Sequence, residues 1–389
     1  MFYELASSSW GAEEKNAMQR VIDSGMFTMS KNVAEFEKRF AEQFGAKHAV
    51  MVSSGSAANL VSLAALFYKK EKPLQRGDEV IVPAISWSTT YYPLQQYGMK
   101  LKFIDVEKDT LNIDTNMLEK ALTKKTRMVV AVSILGNPCA LDSIREFCDA
   151  HDLYMFEDNC ESMGATLHGK YTGTYGDLGT HSCFFSHHIS TMEGGVIITD
   201  HTEVSDLCRS LRAHGWTRGL PEESKIFERR EDDFEEAYRF IVPGFNARPL
   251  ELSGAIGIEQ LKKLDGMINI RRNNADIFRK LFETDDRFII QRENGKSSWF
   301  AFTLIIRPDL SISRSSVFKA LKENGIGYRM ITGGNFLRHD VIKHFDYQCI
   351  GDMQHANLAH DHGFFVGNHP RDLSVELAKL HEVLTCCLK

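Results

Sequence analysis

From residue 48 to residue 200 the sequence alternates. Short apolar runs rich in β-branched residues (HAVMV, DEVIVP, LKFIDV, RMVVAVSI, LYMFED, THSCFF and GVIITD) are separated by stretches with helical spacing. Strands that are apolar along most of their length need cover on both faces. Strand–helix alternation of this kind predicts an α/β architecture around a mostly parallel sheet. In such sheets ligands collect beyond the carboxyl ends of the strands.

The flanks extend the pattern. Apolar spacing predicts helices over 13–24, through Ala17, Val21 and Ile22, and over 32–44, through Val33, Phe36, Phe40 and Phe44. Residues 204–216 read as a further helix, and 221–240 as a densely charged loop or exposed helix. From 250 one long helical pattern leads toward a smaller α+β unit, with an apolar run at 297–306 and a helix at 314–324. The expected division is 1–250 for a large domain, then 251–389 for the bridging helix and smaller C-terminal domain.

Charge narrows the partners. Lys and Arg number 46 against 52 Asp and Glu, a net charge of -6, and no basic block occurs. That argues against a nucleic-acid partner, whereas a small phosphorylated ligand needs only a few donors. No apolar run reaches transmembrane length. The N-terminus lacks a basic segment followed by an apolar one, so no secretory leader is expected. The eight cysteines show no metal-ligand spacing, and a cytoplasmic chain with reduced thiols is expected.

Four segments directly after apolar runs, and one further on, carry polar groups. After HAVMV, residues Ser54, Gly55, Ser56 and Ala57 open an apolar helix. Backbone N–H groups there suit a phosphate, although an ordinary serine N-cap reads the same way. After LYMFED, Asp158 ends a strand, where a buried acid needs a partner. It can accept a charge-assisted bond from a protonated ring nitrogen or simply cap a turn. After DEVIVP, Trp87 is a stacking surface or a core residue. In THSCFFSHHISTMEGG, Ser182 precedes the pair His187 and His188, and Gly194-Gly195 permit a tight turn. Finally, PGFNARPLELSG places Asn246 and Arg248 on an irregular lead into a helix.

The order of these segments resembles the fold-type I, pyridoxal-phosphate-dependent sugar aminotransferase family. The matching segments include VSSGSAANL, GDEVIVPAISWSTT, FIDVEKDTLNID, LGNPCALDSI, FEDNCESMGA, GDLGTHSCFF, EGGVIITD and GFNARPLELSGAIGIEQL, over roughly residues 30 to 265. The resemblance implies a large domain with a mostly parallel sheet flanked by helices, plus the smaller C-terminal domain. It implies that Ser56, Ala57 and Ser182 lie at the cofactor phosphate, that Trp87 stacks on the pyridine ring and that Asp158 pairs with the ring nitrogen. Glu161 stands where these aminotransferases commonly have glutamine. Asn246 would reach the phosphate of a neighbouring subunit's cofactor, which implies a homodimer with shared sites. His214, Arg218 and Arg329 resemble substrate-side positions.

The chain departs from the family at one residue. Counting back from Glu193-Gly194-Gly195, the lysine that anchors the cofactor falls on His187, with His188 the competing position. Imidazole cannot make that covalent link but can exchange protons near neutral pH. Loss of the lysine with the rest retained resembles the deoxysugar 3-dehydratase branch. That branch implies non-covalently held pyridoxal 5'-phosphate and pyridoxamine 5'-phosphate, with L-glutamate as amino donor. The implied reaction removes the C3 hydroxyl of a GDP-linked 4-keto-6-deoxymannose, with His187 as the base. It gives a 4-keto-3,6-dideoxy sugar and ammonia. The alternatives are an iron–sulfur-dependent dehydratase of CDP sugars, a sugar aminotransferase, and a non-catalytic relic that binds cofactor.

Overall fold

The computed structural model describes residues 2–310 and 313–387. Helices α1 (Ala12–Ser24) and α2 (Lys31–Phe44) open the chain. The alternation comes next: β1 (His48–Val52), α3 (Gly55–Phe67), β2 (Glu79–Pro83), α4 (Ser88–Gln96), β3 (Lys100–Ile104), α5 (Leu118–Ala121), β4 (Thr126–Val132), α6 (Leu141–Ala150) and β5 (Tyr154–Asp158). A small ribbon, β6 (Thr166–Leu167) and β7 (Lys170–Tyr171), precedes β8 (Leu178–Ser182) and β9 (Gly195–Thr199). Then come α7 (Thr202–Leu211), α8 (Asp233–Glu236) and the long α9 (Glu251–Phe282). The C-terminal part holds β10 (Phe288–Ile289), β11 (Ala301–Ile306), α10 (Arg314–Glu323), β12 (Tyr347–Ile350), α11 (Gln354–His362), β13 (Gly363–Gly367) and α12 (Ser374–Cys387).

Eight strands form the main sheet in the order β1-β9-β8-β5-β4-β2-β3-β12. Only β9 runs against its neighbours, β1 and β8; the other pairs are parallel. The seven strands expected from the alternation are all present. The eighth, β12, was not expected. It comes from the C-terminal part and pairs in parallel with β3, Tyr347 opposite Leu101. A second, antiparallel sheet, β10-β11-β13, packs with α9, α10 and α12 through Phe278, Phe302, Phe364 and Leu380.

Local sequence explains the elements that matter most to the site. Every residue of β2 and β8 is buried, as expected of strands covered on both faces. In α3 apolar residues occur all round, so the helix is sandwiched rather than surface-laid. The expectation of a helix through residue 216 is corrected. α7 ends at Leu211, with His214 at φ 66° and Gly215 at φ 81°. A Cβ at Gly215 would overlap the Val242 carbonyl oxygen. The chain therefore turns there, and Ala213 and Trp216 pair with Asn246 and Phe240. Residues 221–240 are turns around the four-residue α8.

One buried ionic cluster ties this frame together. Glu37 on α2 accepts from Arg209 (2.7 Å) and Arg212 (2.5 Å) on the α7 side and from the Met51 N–H of β1 (2.8 Å). Burial pushes its carboxyl up, but the two guanidinium groups outweigh that and hold it below the usual range.

Candidate active site

The carboxyl ends of β1, β4, β5 and β8 open into one cavity of about 680 Å³. The cavity wall includes Ser54, Gly55, Ser56, Trp87, Thr89, Asp158, Glu161, Ser182, His187 and Arg329. The residues named come from five separated stretches of sequence and converge at the carboxyl ends of the strands.

The turn from β1 to α3 forms one end. Ser54 caps the helix by accepting the Ala57 N–H on its side chain (3.1 Å). Ala57 is therefore committed to the cap and does not face the cavity, whereas the N–H groups of Gly55 and Ser56 lie in the first turn, where no intrahelical partner exists. The Ser56 hydroxyl donates to Thr89 (3.0 Å). Gly55 is required by close approach: a Cβ there would lie 2.7 Å from the Ser182 Cβ. Two hydroxyls and a helix N-terminus so share one small space, which suits an anion.

At the other end Asp158 is 5% exposed. Its Oδ2 accepts from Asn59 Nδ2 (2.8 Å) and Thr90 Oγ1 (2.6 Å), and its Oδ1 from the Cys160 N–H (3.2 Å). Asn59 is itself fixed by the Thr180 hydroxyl (2.6 Å), and Thr90 by Ser86 (2.7 Å). No lysine or arginine pairs with Asp158 among the described residues. A recessed carboxylate held by neutral donors and facing a cavity suits a cationic ring N–H. Trp87 is 58% exposed at the start of α4. The core alternative is thereby excluded, and its ring is available as a wall for a planar ligand.

Glu161 reaches the cavity wall, accepting from the Leu135 N–H (2.9 Å) and the Thr332 hydroxyl (3.4 Å). The histidine pair divides. His187 lines the cavity, edge-on to the rings of Phe300 (5.0 Å) and Phe184 (6.0 Å). Its Nδ1 lies 3.5 Å from Ser186 Oγ. Burial, then the positive charge of Arg271, holds its pKa down at about 4, so the ring is neutral at neutral pH. His188 is 1% exposed and turns inward, with Nε2 3.2 Å from the Ser298 carbonyl oxygen.

Three of the candidate residues stand apart from this cavity. His214, Arg218 and Asn246 lie on exposed segments that are bridged to each other, His214 N–H to the Phe245 carbonyl (2.7 Å) and Ala213 to Asn246. Arg218 lies over the Trp216 ring at 5.2 Å. Other residues of the site escaped the sequence. Asn59 had a signal, a lone asparagine in an otherwise small-residue and apolar helix that would need a buried partner. Thr90 and Thr89 had only the weak signal of a short polar run. Phe300 and Thr332 had none, since they arrive from the C-terminal part.

The model of the DegT/DnrJ/EryC1/StrS aminotransferase family matches residues 8–379. The chain is 53% identical over 384 residues to GDP-4-keto-6-deoxy-D-mannose 3-dehydratase of Yersinia pseudotuberculosis, covering 98% of each. It is 50% identical to the protein of the same name from Escherichia coli O55:H7, covering 98% of this chain and 99% of that one. Among solved structures, GDP-4-keto-6-deoxymannose-3-dehydratase with a trapped PLP-glutamate geminal diamine superimposes with a TM-score of 0.97 at 49% identity, covering 100% of both. A variant of that enzyme with one histidine replaced by asparagine and GDP-perosamine bound gives 0.96 at 50% identity, covering 98% of this chain and 100% of that one. A further variant, with a serine and the following histidine replaced by asparagine and lysine, gives 0.95 at 49% identity, covering 97% and 100%.

Proposed function

The chain belongs to the DegT/DnrJ/EryC1/StrS aminotransferase family, and from that membership and its cavity we propose that it is a pyridoxal-phosphate-dependent 3-dehydratase of a GDP-linked sugar. The substrate is a GDP-linked 4-keto-6-deoxymannose and the amino donor and two-electron reductant is L-glutamate; the products are a 4-keto-3,6-dideoxy sugar, ammonia and 2-oxoglutarate. One observation carries the reading. A wall suited to a phosphorylated pyridine cofactor surrounds a place where the family's lysine is a histidine, and no lysine lines the cavity among the described residues.

The chain's own residues divide the work. Gly55 and Ser56 N–H groups, with the Ser56 and Ser182 hydroxyls, would hold the cofactor phosphate. Trp87 would cover one ring face, and Asp158 would accept the ring N–H, with Asn59 and Thr90 keeping that carboxylate in place. When bound, the cofactor supplies a conjugated ring that accepts electrons as the sugar C3–O bond breaks. His187 is the proposed base. Its neutral ring can take a proton, and Nε2 is the nitrogen left over once Nδ1 faces Ser186. The serine–histidine pair replaced in the solved variant supports His187 over His188, because Ser186-His187 is the one such dipeptide in this chain. Arg329, on the cavity rim, is the proposed contact for a substrate carboxylate or diphosphate.

The same reading brings two copies together. Asn246, His214 and Arg218 form one exposed, bridged unit away from their own chain's cavity. That placement supports a homodimer in which Asn246 reaches the partner's cofactor phosphate and the other two reach its substrate. A cytoplasmic setting is part of the reading; the cysteines are all unpaired, which suits a reducing compartment.

The test is to incubate the purified protein with pyridoxal 5'-phosphate, L-glutamate and GDP-4-keto-6-deoxymannose. Ammonia and a 3-deoxy sugar are expected. A 4-amino sugar as the only product would sink the proposal.

A further inference from the structure

The proposed function uses His187 and leaves its neighbour unexplained. His188 is fully buried, yet it is a polar ring with one nitrogen spoken for and the other, Nδ1, without a hydrogen-bond partner. Because a carbonyl oxygen only accepts, the 3.2 Å contact with Ser298 requires the proton on Nε2. The ring is then a donor to Ser298 and cannot reach the cavity.

What it grips is a strained turn. Trp299, between Ser298 and Phe300, has φ 47°. The Ser298 N–H donates to the Gly136 carbonyl (2.9 Å), and the Phe300 N–H to that of Leu135 (3.0 Å). On the far side Arg271 of α9, 3% exposed, donates to the Phe300 carbonyl (3.3 Å) and to that of Asn368. No carboxylate pairs with Arg271 among the described residues. A conformation of this kind persists only where its surroundings over-determine it, and here His188 and Arg271 hold the carbonyls on either side of Trp299. The turn in turn sets the Phe300 ring, which lies edge-on to His187 at an interplanar angle of 70°. The one polar contact of the His187 ring, Nδ1 to Ser186 Oγ, is long at 3.5 Å, so ring packing is what orients it.

We infer that His188 is a positioning residue for His187: by donating Nε2–H to the Ser298 carbonyl, it fixes the turn whose Phe300 ring orients the catalytic imidazole. This rests on the proposed function, since it supposes that His187 is the base. The charged and titratable groups facing His188 are Arg271 from α9, His187 from its own loop and His181 from β8. All are cations or potential cations, and burial acts in the same direction, so the His188 ring stays neutral and keeps its donor in place.

The experiment pairs His188→Phe, which keeps an aromatic ring but no donor, with His188→Gln, which restores an N–H. His188→Phe is expected to bind cofactor normally by absorbance titration and to keep its KM for the nucleotide sugar. Its kcat should fall on the order of 10²-fold, the effect of an ångström-scale misplacement, with partial recovery in His188→Gln. Unchanged kcat, or a raised KM with kcat intact, overturns the inference. His187→Asn, measured alongside, separates the two readings. If that variant alone is inactive, only the positioning role fails; if it dehydrates at full rate, His187 is not the base and this inference fails with that assignment; if the parent protein itself does not dehydrate the nucleotide sugar, the proposed function fails. A readout that needs neither folding of a variant nor turnover is 15N NMR of histidine-labelled protein. His188 should show the neutral Nε2–H tautomer throughout the range from about pH 5 to about pH 8. An Nδ1–H tautomer or a titrating signal overturns the inference.

Discussion

The Glu161 carboxylate accepts the Leu135 backbone N–H at 2.9 Å, and Leu135 offers it from a left-handed conformation, φ 51°. The second partner, Thr332, is also left-handed, φ 42°. Strain of roughly 1–3 kcal/mol at each such residue has to be held by its surroundings. Glu161 is thus bound by groups that the fold bends to meet it. Burial, the strongest influence, pushes this carboxyl up to about 7; the Leu135 N–H opposes the shift and Asp158 adds to it.

A carboxyl whose folded pKa is raised binds a proton more readily when folded. Stability should therefore fall as pH rises from the ordinary value of 4.5 through about 7. Glu161→Gln keeps an acceptor for Leu135 and cannot ionise. It is expected to flatten that slope and gain on the order of 1–3 kcal/mol above neutral pH. Urea unfolding at about pH 5 and about pH 8 checks this. Some slope should remain, because burial also pushes Glu157 up to about 7.

His187→Lys returns an amine to the position of the family's lysine. Covalent attachment of the cofactor is expected, visible by mass spectrometry after borohydride reduction. Loss of the base should lower the dehydration rate by roughly 10²–10⁴-fold. Dehydration at the parent rate would mean that His187 is not the base.

Trp87→Ala separates the site from the fold. The side chain is 58% exposed, so the thermal midpoint should hardly move. Cofactor affinity should weaken by about 0.5–1.5 kcal/mol, the worth of one aromatic contact. Isothermal titration with pyridoxal 5'-phosphate measures it; unchanged affinity would remove Trp87 from the cofactor wall.

Glu37→Gln tests the frame far from the chemistry. It leaves the buried Arg212 and the half-buried Arg209 without their carboxylate, and breaking a buried pair typically costs about 3–5 kcal/mol. In the parent protein the Glu37 carboxyl is held below its usual range. Its contribution is present above the unfolded value and is lost as pH falls through the lowered folded value. The variant should therefore lie closest to the parent in acid, as read by denaturant midpoints across the acid range.

Legibility tracked the range of the interactions. Strand ends carrying Asp158 and Ser182, and the turn at Ser56, were visible because local pattern fixes a strand and the turn after it. The assignment of a helix through residue 216 failed at Gly215, where the obstacle is Val242, a residue local pattern does not see. Glu37 carries no signal in its own helix, because its partners Arg209 and Arg212 lie far along the chain. Two adjacent histidines looked alike in sequence. The difference between them is Ser298, which takes one ring inward and leaves the other at the cavity.

The placement of β12 bears on how the molecule comes to be. The outer neighbour of β3 is supplied by Tyr347–Ile350, so the edge at Leu101 stays open until that distant segment has left the ribosome. An unpaired edge is a template for other chains, and pairing at such sequence distance is slow to form. Nascent chains should thus be most prone to aggregate in the interval after β3 emerges and before residue 350 does. Truncations short of that strand should need chaperone assistance that the full-length chain can do without.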